Sequence, residues 1–426
     1  MKADHDVRAT APLALATFLI ISWLKAPALY MAPRMWAEEG ALYFSAIQSL
    51  RPVDALTLVV NSNLQFLTNA IVYLAAQVPL VWAAHVTTYL SFVIPVFTTY
   101  LIVLFCASYG IRRSVCLLAV FIWALLPPTY EVFATATNVQ WVCSISILLI
   151  CALPPRVLET RYEPALYVWA VACGLTGVPS CITAPGFLLR GVTERSRPHF
   201  VMGAALGACA LFQLAIIATH PIEGRSFAFA PLTLVLPGLL QTVLSPVMSA
   251  DIADLIGAKI RTGDAGADVA ATATVLGSLS LICLAAALAW SRRWRSLTVT
   301  LLFLWLLETV LNTFGAFGAY PEGLISGWGG ARYYLFGCVC FLLLLVLGTA
   351  ADHRLARQIS IALICVMAGV SLAQMVRSPW TRPLTEGPAW ADEVKRCASL
   401  QSCMVTAWPS GAGWTFEIRQ SDKVER

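Results

Sequence analysis

Charge is scarce in this chain. Only 12% of its 426 residues are Asp, Glu, Lys or Arg, while 59% are hydrophobic and the mean hydropathy is +0.75. Soluble domains carry about 25% charged residues, and no soluble fold could cover so much apolar surface. Other absences narrow the reading further. No Walker sequence, HExxH pair, nucleophile elbow or dinucleotide fingerprint stands on a credible element, and no repeat or low-complexity tract is present. The alternation of a membrane β-barrel is missing. Lys and Arg total 28 against 23 acids, a net charge of +5. They form no stripe with interleaved aromatics, so no nucleic-acid partner is expected.

What the chain has instead is long apolar runs. A bilayer core needs roughly 20 apolar residues per helical crossing, and lipid tolerates no open backbone, so helices are the default. The runs predict an all-α, polytopic bundle of about ten or eleven spans, near 10–32, 82–106, 114–128, 138–153, 165–176, 180–190, 200–219, 272–290, 297–315, 333–349 and 358–376. Lys2 and Arg8 before the apolar run from Ala11 to Leu24 have the outline of a signal peptide. No convincing small-residue cleavage site follows, and a retained first helix is expected. Gly174, Gly177 and Pro179 divide the fifth and sixth spans, either as two half-helices or as one broken span.

Short basic loops set the expected orientation. Arg112-Arg113, the 154–164 loop with Arg156 and Arg161, Arg190 with Arg195 and Arg197, Arg292-Arg293 with Arg295, and Arg354 with Arg357 all fall on one side if the N-terminus is cytoplasmic, as the positive-inside rule requires. That arrangement puts 33–81, 129–137, 220–271, 316–332 and the tail from Arg377 to Arg426 on the non-cytoplasmic side. The domain reading is therefore a bundle over 1–376 and a short outer tail over 377–426. The first outer loop must contain no net crossing. Asn61, Asn63, Gln65, Asn69 and Gln77 punctuate its apolar stretch, which predicts helices near 40–50 and 64–79 that lie in the interface. Apolar residues from Leu232 to Val247 are expected to lie along the interface too. Most of the 13 cysteines sit inside apolar runs, where Cys packs as a small hydrophobe. Cys397 and Cys403, in the polar tail, form a disulfide if that tail is outside.

Candidate chemistry gathers on the same side. Met35-Trp36-Ala37-Glu38-Glu39-Gly40 places two adjacent carboxylates just beyond the first span. A carboxylate at a low-dielectric boundary near a second acid gains proton affinity, which suits a general base; the bland alternative is a solvated helix start complementing the dipole. Asn138-Val139-Gln140-Trp141, with Glu131 before it, opens another span. Gly329-Gly330-Ala331-Arg332-Tyr333-Tyr334 enters a third, after Tyr320-Pro321-Glu322-Gly323 and Trp328. Arg332 can hold a phosphate bidentately or snorkel among interfacial aromatics. His220 and Arg225 are further candidate substrate contacts. Lys25, His85 and Glu308 are ionisable groups within or near spans, each more often structural than functional.

Taken together, Trp36-Ala37-Glu38-Glu39-Gly40, Asn138-Val139-Gln140-Trp141, Gly174-Leu175-Thr176-Gly177-Val178-Pro179, Arg332-Tyr333-Tyr334, Trp408-Pro409 and Gly413-Trp414 resemble the GT-C superfamily of membrane glycosyltransferases. More narrowly, they resemble a group of bacterial polytopic inner-membrane proteins of that architecture. The resemblance covers nearly the whole chain through short motifs. It implies a GT-C-like fold in the cytoplasmic membrane and an inverting transfer of a sugar from a polyprenyl-phosphate donor to a glycan or glycolipid acceptor. Arg332 would meet the donor phosphate, with Tyr333, Asn138, Gln140, Trp141, Glu322, Arg225 and His220 around the substrates, and Glu38 or Glu39 would deprotonate the acceptor. The narrower group usually has Glu-Asp at this pair, which leaves open which of the two acts. Some superfamily members need a divalent metal such as Mg or Mn, for which Glu38 and Glu39 are the expected ligands. A transporter or flippase of a lipid-linked or small solute, and a structural subunit of an envelope assembly, are the competing expectations.

Overall fold

A computed structural model describes residues 2–160, 163–221, 236–263, 266–291, 294–316, 325, 330–377, 387–398, 400, 402–409 and 413–419. It is mostly helical. The bundle is carried by α1 (Lys2–Lys25), α2 (Leu80–Ser108), α3 (Arg113–Leu125), α4 (Val139–Ala152), α5 (Glu163–Gly174), α6 (Ala184–Thr193), α7 (Arg197–Thr219), α8 (Ala267–Ala289), α9 (Arg295–Ala316), α10 (Leu335–Gly348) and α11 (Arg354–Arg377). Six helices among the described residues are long and apolar enough to cross a membrane: Val7–Lys25, Leu80–Ser108, Arg197–Thr219, Ala267–Ala289, Ala331–Gly348 and Arg354–Arg377. A chain with so many such helices reads as a multi-pass membrane protein.

Packing follows from composition. Helices α4 and α10 are apolar on every face and buried, α10 throughout and α4 at every residue but Gln140, as an all-round hydrophobic helix must be. Small residues let neighbours approach: Gly348 lies against Ser360 and Leu288, and Gly337 against Thr242 and Trp305, the kind of contact that close membrane helices use. Helix α5 stops at Gly174, where the extended turn through Gly177 leads into a short helix Val178–Cys181 before α6.

Strands correct the all-α expectation in two places. β1 (Val59–Val60) pairs antiparallel with β2 (Asn63–Leu64) across Asn61 and Ser62, both at positive φ, the backbone a two-residue hairpin demands. β3 (Ser402–Thr406) pairs antiparallel with β4 (Thr415–Arg419) in the tail. There Cys403, Val405, Phe416 and Ile418 are buried, alternating with more exposed neighbours along each strand at the period of two that a half-buried strand requires. The described residues between 390 and 419 thus form a small folded cap, in which helix Trp390–Cys397 is joined to β3 by a Cys397–Cys403 disulfide.

The two long loops expected on the non-cytoplasmic side pack inward more than the sequence suggests. In the first, Glu39–Phe44 is a π-helical turn continued to Ile47, followed by helix Phe66–Ala75. Asn69, one of the polar residues that interrupt the apolar stretch, is fully buried and donates Nδ2 to the carbonyls of Leu56 and Leu58 at 3.2 and 2.8 Å. Its polarity serves the loop's own backbone, which needs partners once buried. In the second, the expectation that apolar residues up to Val247 lie along the interface is overturned for the described part. Leu236, Leu239, Leu240 and Val243 are buried, and the segment packs between α8 and α10, because its apolar residues cover more than one face.

Polar groups concentrate at the two ends of the bundle. At one, Arg190 donates to the Cys151 and Leu153 carbonyls and pairs with Glu194 at 2.8 Å, while Arg156 donates to the Ser108 carbonyl. A cavity of about 360 Å³ there is lined by residues of the Ser108, Pro154, Arg190 and Trp294 turns. At the other end of α2, Trp390 Nε1 donates to the Leu80 carbonyl at 2.9 Å, which seats the tail cap beside the start of α2 and the acid motif.

Candidate functional site

The acid motif begins where Trp36 leaves the chain's extended segment. Trp36 forms a parallel bridge with Trp408; the Trp408 N–H donates to Met35 O at 2.9 Å, and the Ala37 N–H donates to Trp408 O. Helical winding starts at once, with the Gly40 N–H bonded to Trp36 O at 3.0 Å. Glu38 and Glu39 therefore occupy the first turn, where acids are favoured by the exposed N–H groups.

The two carboxylates then part company. Glu39 is only 1% exposed. Its Oε2 accepts the Ala136 N–H at 2.7 Å, and the nearby Thr87 hydroxyl and Trp36 N–H favour its ionised form as well. The last of these resembles the back-bond of a capping box. Burial pushes Glu39 up to about 7, against the pull of those three donors. Glu38 is partly exposed and acts electrostatically on Arg332 and on the buried Tyr43 hydroxyl, which burial together with Glu38 holds above its ordinary range.

The loop between α3 and α4 braces both. Ala136 gives its N–H to Glu39 and takes the Thr68 hydroxyl on its carbonyl at 2.8 Å. Asn138 Nδ2 and Thr135 Oγ1 donate to the Glu131 carbonyl at 2.8 and 3.0 Å. That holds Glu131 where its Oε2 meets Arg332 Nη1 at 3.1 Å, the side chains being 34% and 26% exposed. Tyr333 carries the Arg332 guanidinium 5.3 Å from its ring and meets the Trp141 ring edge-on at 4.9 Å. Gln140 packs its amide against Gly177. The Gly-Leu-Thr-Gly turn in turn caps helix Phe66–Ala75, accepting the Phe66 N–H on Leu175 O at 3.1 Å and the Leu67 N–H on Thr176 Oγ1 at 3.2 Å. Those are two of the orphan donors of a helix start.

Of the residues singled out from sequence, Glu38, Glu39, Asn138, Gln140, Trp141, Arg332 and Tyr333 lie in this one connected set. His220 does not join it: its carbonyl accepts the Ser62 hydroxyl, and its exposed ring meets Thr219 Oγ1 at 3.0 Å. Arg225 and Glu322 lie outside the described residues. Lys25 clasps α1 to the end of α3 through Ala124 O and Thr129 Oγ1, and His85 packs on Trp82. Glu308 is buried near Cys338 and Cys340 of α10. Among the described residues no three His, Cys, Asp or Glu gather as a metal site. Glu39 is buried with Oε2 committed to the Ala136 N–H, and Glu131 is paired with Arg332, so the acid motif fits a divalent cation poorly.

Three contributors escaped sequence reasoning. Thr87 and Thr68 are buried hydroxyls of a kind common in apolar helices, and nothing local marks them. Arg34 had a usable signal: it is a basic residue beside the acid motif, on the side the positive-inside rule leaves poor in cations. No protein-family model, curated protein or solved structure matches this chain.

Proposed function

We propose that the protein is a membrane glycosyltransferase of GT-C-like architecture in a bacterial cytoplasmic membrane. It would make about ten or eleven crossings, with a cytoplasmic N-terminus and a non-cytoplasmic C-terminus. The observation that carries this reading is convergence: short motifs starting at Trp36, Asn138, Gly174, Arg332 and Trp408 meet at one end of the bundle around a partly exposed carboxylate and a guanidinium. The Cys397–Cys403 disulfide supports an oxidising compartment for that end. Basic turns at the other end support a cytoplasmic face there.

In this reading the sugar comes from a polyprenyl-phosphate donor whose lipid lies in the bilayer, and the acceptor is a glycan or glycolipid. Glu38, the partly exposed acid, takes the proton of the acceptor hydroxyl as its oxygen attacks the anomeric carbon. The bond from that carbon to the phosphate oxygen breaks, and its electron pair leaves with the phosphate, inverting the centre. Arg332 meets the departing phosphate by exchanging its partner Glu131, while Tyr333, Trp141, Asn138 and Gln140 shape the surroundings. Glu39 holds the motif in place. No step is routed through a divalent metal.

The test compares membrane glycolipids and surface polysaccharide by mass spectrometry in a deletion strain carrying wild type or Glu38→Gln at equal protein levels. Loss of one sugar with accumulation of its lipid-linked donor is the expected result. An unchanged glycan would overturn the assignment. A transporter or flippase is the second reading, favoured by Gln241 Nε2 and Ser245 Oγ, which are buried in the bundle without partners among the described residues; flux in proteoliposomes without a covalent product would select it.

A further inference from the structure

Arg34 sits two residues before Trp36, between the end of α1 and the acid motif, and is 3% exposed. Its Nη1 and Nη2 are sealed from solvent and have no hydrogen-bond partner among the described residues. The guanidinium lies 5.9 Å from the ring of Trp408, which is 2% exposed and whose own Nε1 is likewise buried without an acceptor. Two chain segments, joined by the Trp36–Trp408 bridge, therefore bring three N–H-bearing nitrogens, two of a guanidinium and one of an indole, into one neighbourhood without acceptors.

The nearest carboxylate does not settle the account. Glu393 of the tail acts on Arg34 electrostatically, but its Oε2 is taken by the Thr406 N–H at 2.7 Å and its Oε1 faces Arg396 at 3.4 Å. Arg332 differs in the same respect, since it already holds Glu131. A buried guanidinium without hydrogen-bond acceptors is strongly unfavourable, and a planar fork with an adjacent indole N–H matches an acceptor that presents several oxygens. Arg34 stands nine residues past Lys25, the last residue of a helix apolar enough to span, and basic pockets beside membrane helices bind phosphate head groups.

We propose that Arg34 and Trp408 together form a phosphate-binding site at the seam between the first loop and the tail. The site is separate from the Arg332–Glu131 pair, and it needs the tail cap because Trp408 supplies part of it. The phosphate belongs either to a lipid headgroup or to a soluble ligand, and the same three donors serve both.

The test measures thermal unfolding of the full-length protein in two settings. One is neutral detergent titrated with inorganic phosphate or pyrophosphate at constant ionic strength. The other is phosphatidylcholine nanodiscs with or without phosphatidic acid, whose phosphomonoester is the probe. Wild type should melt higher, saturably, with at least one probe; a response to phosphatidic acid alone assigns a lipid headgroup, and a response to the soluble anions assigns a free ligand. Arg34→Met should melt no lower than wild type without phosphate, because it removes a stranded charge, and its apparent affinity should fall at least ten-fold. Arg34→Lys and Trp408→Phe should each weaken the response. No response in wild type, a full response in Arg34→Met, or a lower melting temperature of Arg34→Met without phosphate would overturn the proposal; the last would make Arg34 structural. Sugar transfer is not read in this experiment, so its outcome and that of the transferase reading are separable.

Discussion

Glu39 Oε2 accepts the backbone N–H of Ala136 at 2.7 Å, joining residues 97 apart in the chain. A residue that in sequence is one of two equivalent acids is, in the fold, a beam between the first loop and the turn into α4. Its neighbour Glu38 stays partly exposed and acts on Arg332 electrostatically. Adjacent helical residues point about 100° apart, so one acid must turn inward if the other turns outward.

The buried position gives Glu39 a measurable signature. Its native carboxyl is raised from 4.5 to about 7, so between those values the folded protein holds a proton that the unfolded chain has released. Stability contributed by the protonated form is intact below pH 4.5 and falls as pH rises toward 7, by on the order of 3 kcal/mol in total. Melting temperature followed from pH 4 to 8 should decline across that window in wild type and be flatter in Glu39→Gln. Superimposable slopes would remove Glu39 as the titrating group.

The Arg332–Glu131 pair predicts a split in kinetics if the transferase reading holds. Both side chains are about a third exposed, so breaking the pair should cost no more than about 1 kcal/mol of stability. Glu131→Gln should release Arg332 for the donor phosphate and lower KM for the donor several-fold with kcat little changed. Arg332→Gln should reduce kcat/KM by 100-fold or more. A raised KM in Glu131→Gln would instead mean that Glu131 itself holds the donor.

The tail cap should depend on its cross-link. Cys397 and Cys403 are six residues apart, and closing so short a loop is worth about 2 kcal/mol. The double variant Cys397→Ser/Cys403→Ser should leave the bundle intact but make residues near Trp408 cleavable by protease, and under the transferase reading it should lose sugar transfer because Trp408 holds the Met35–Ala37 segment. Full protease resistance in the double variant would mean that packing of Trp390 and Phe416 alone retains the cap.

Much of the bundle was legible because lipid imposes long apolar helices with basic turns, and both signals are local in sequence. Glu38, Trp141 and Arg332 could be singled out because polar groups at the ends of apolar runs are conspicuous. The tail cap was not legible: β3 and β4 are five residues each, too short for periodicity to separate them from loop, and their pairing is set by docking on Trp36 and Phe44. Segment 236–248 was misplaced for a related reason. Its apolar residues fit a membrane surface or a protein interior equally well, and only its neighbours α8 and α10 decide. His220 stands apart from the connected set, its carbonyl and ring engaged by Ser62 and Thr219, and nothing in the sequence tells a cap from a contact after a span.

Docking of the cap can be tested at one contact. Gly40, in the first turn of the acid-motif helix, has the Phe416 ring so close that a Cβ would run into it, and Phe416 is in turn flanked by Phe44 and Trp390 at ring separations of 6.2 and 6.4 Å. Gly40→Ala should therefore force the ring outward, an overpacking cost of about 1–3 kcal/mol, and loosen the cap without touching either carboxylate. Shortening the ring in the double variant Gly40→Ala/Phe416→Leu should make room for the methyl and restore protease resistance of the tail. A single variant as resistant as wild type would mean the cap is not seated by this contact. A double variant that is worse than the single would show that Phe416 is held by its aromatic neighbours more than it is limited by Gly40.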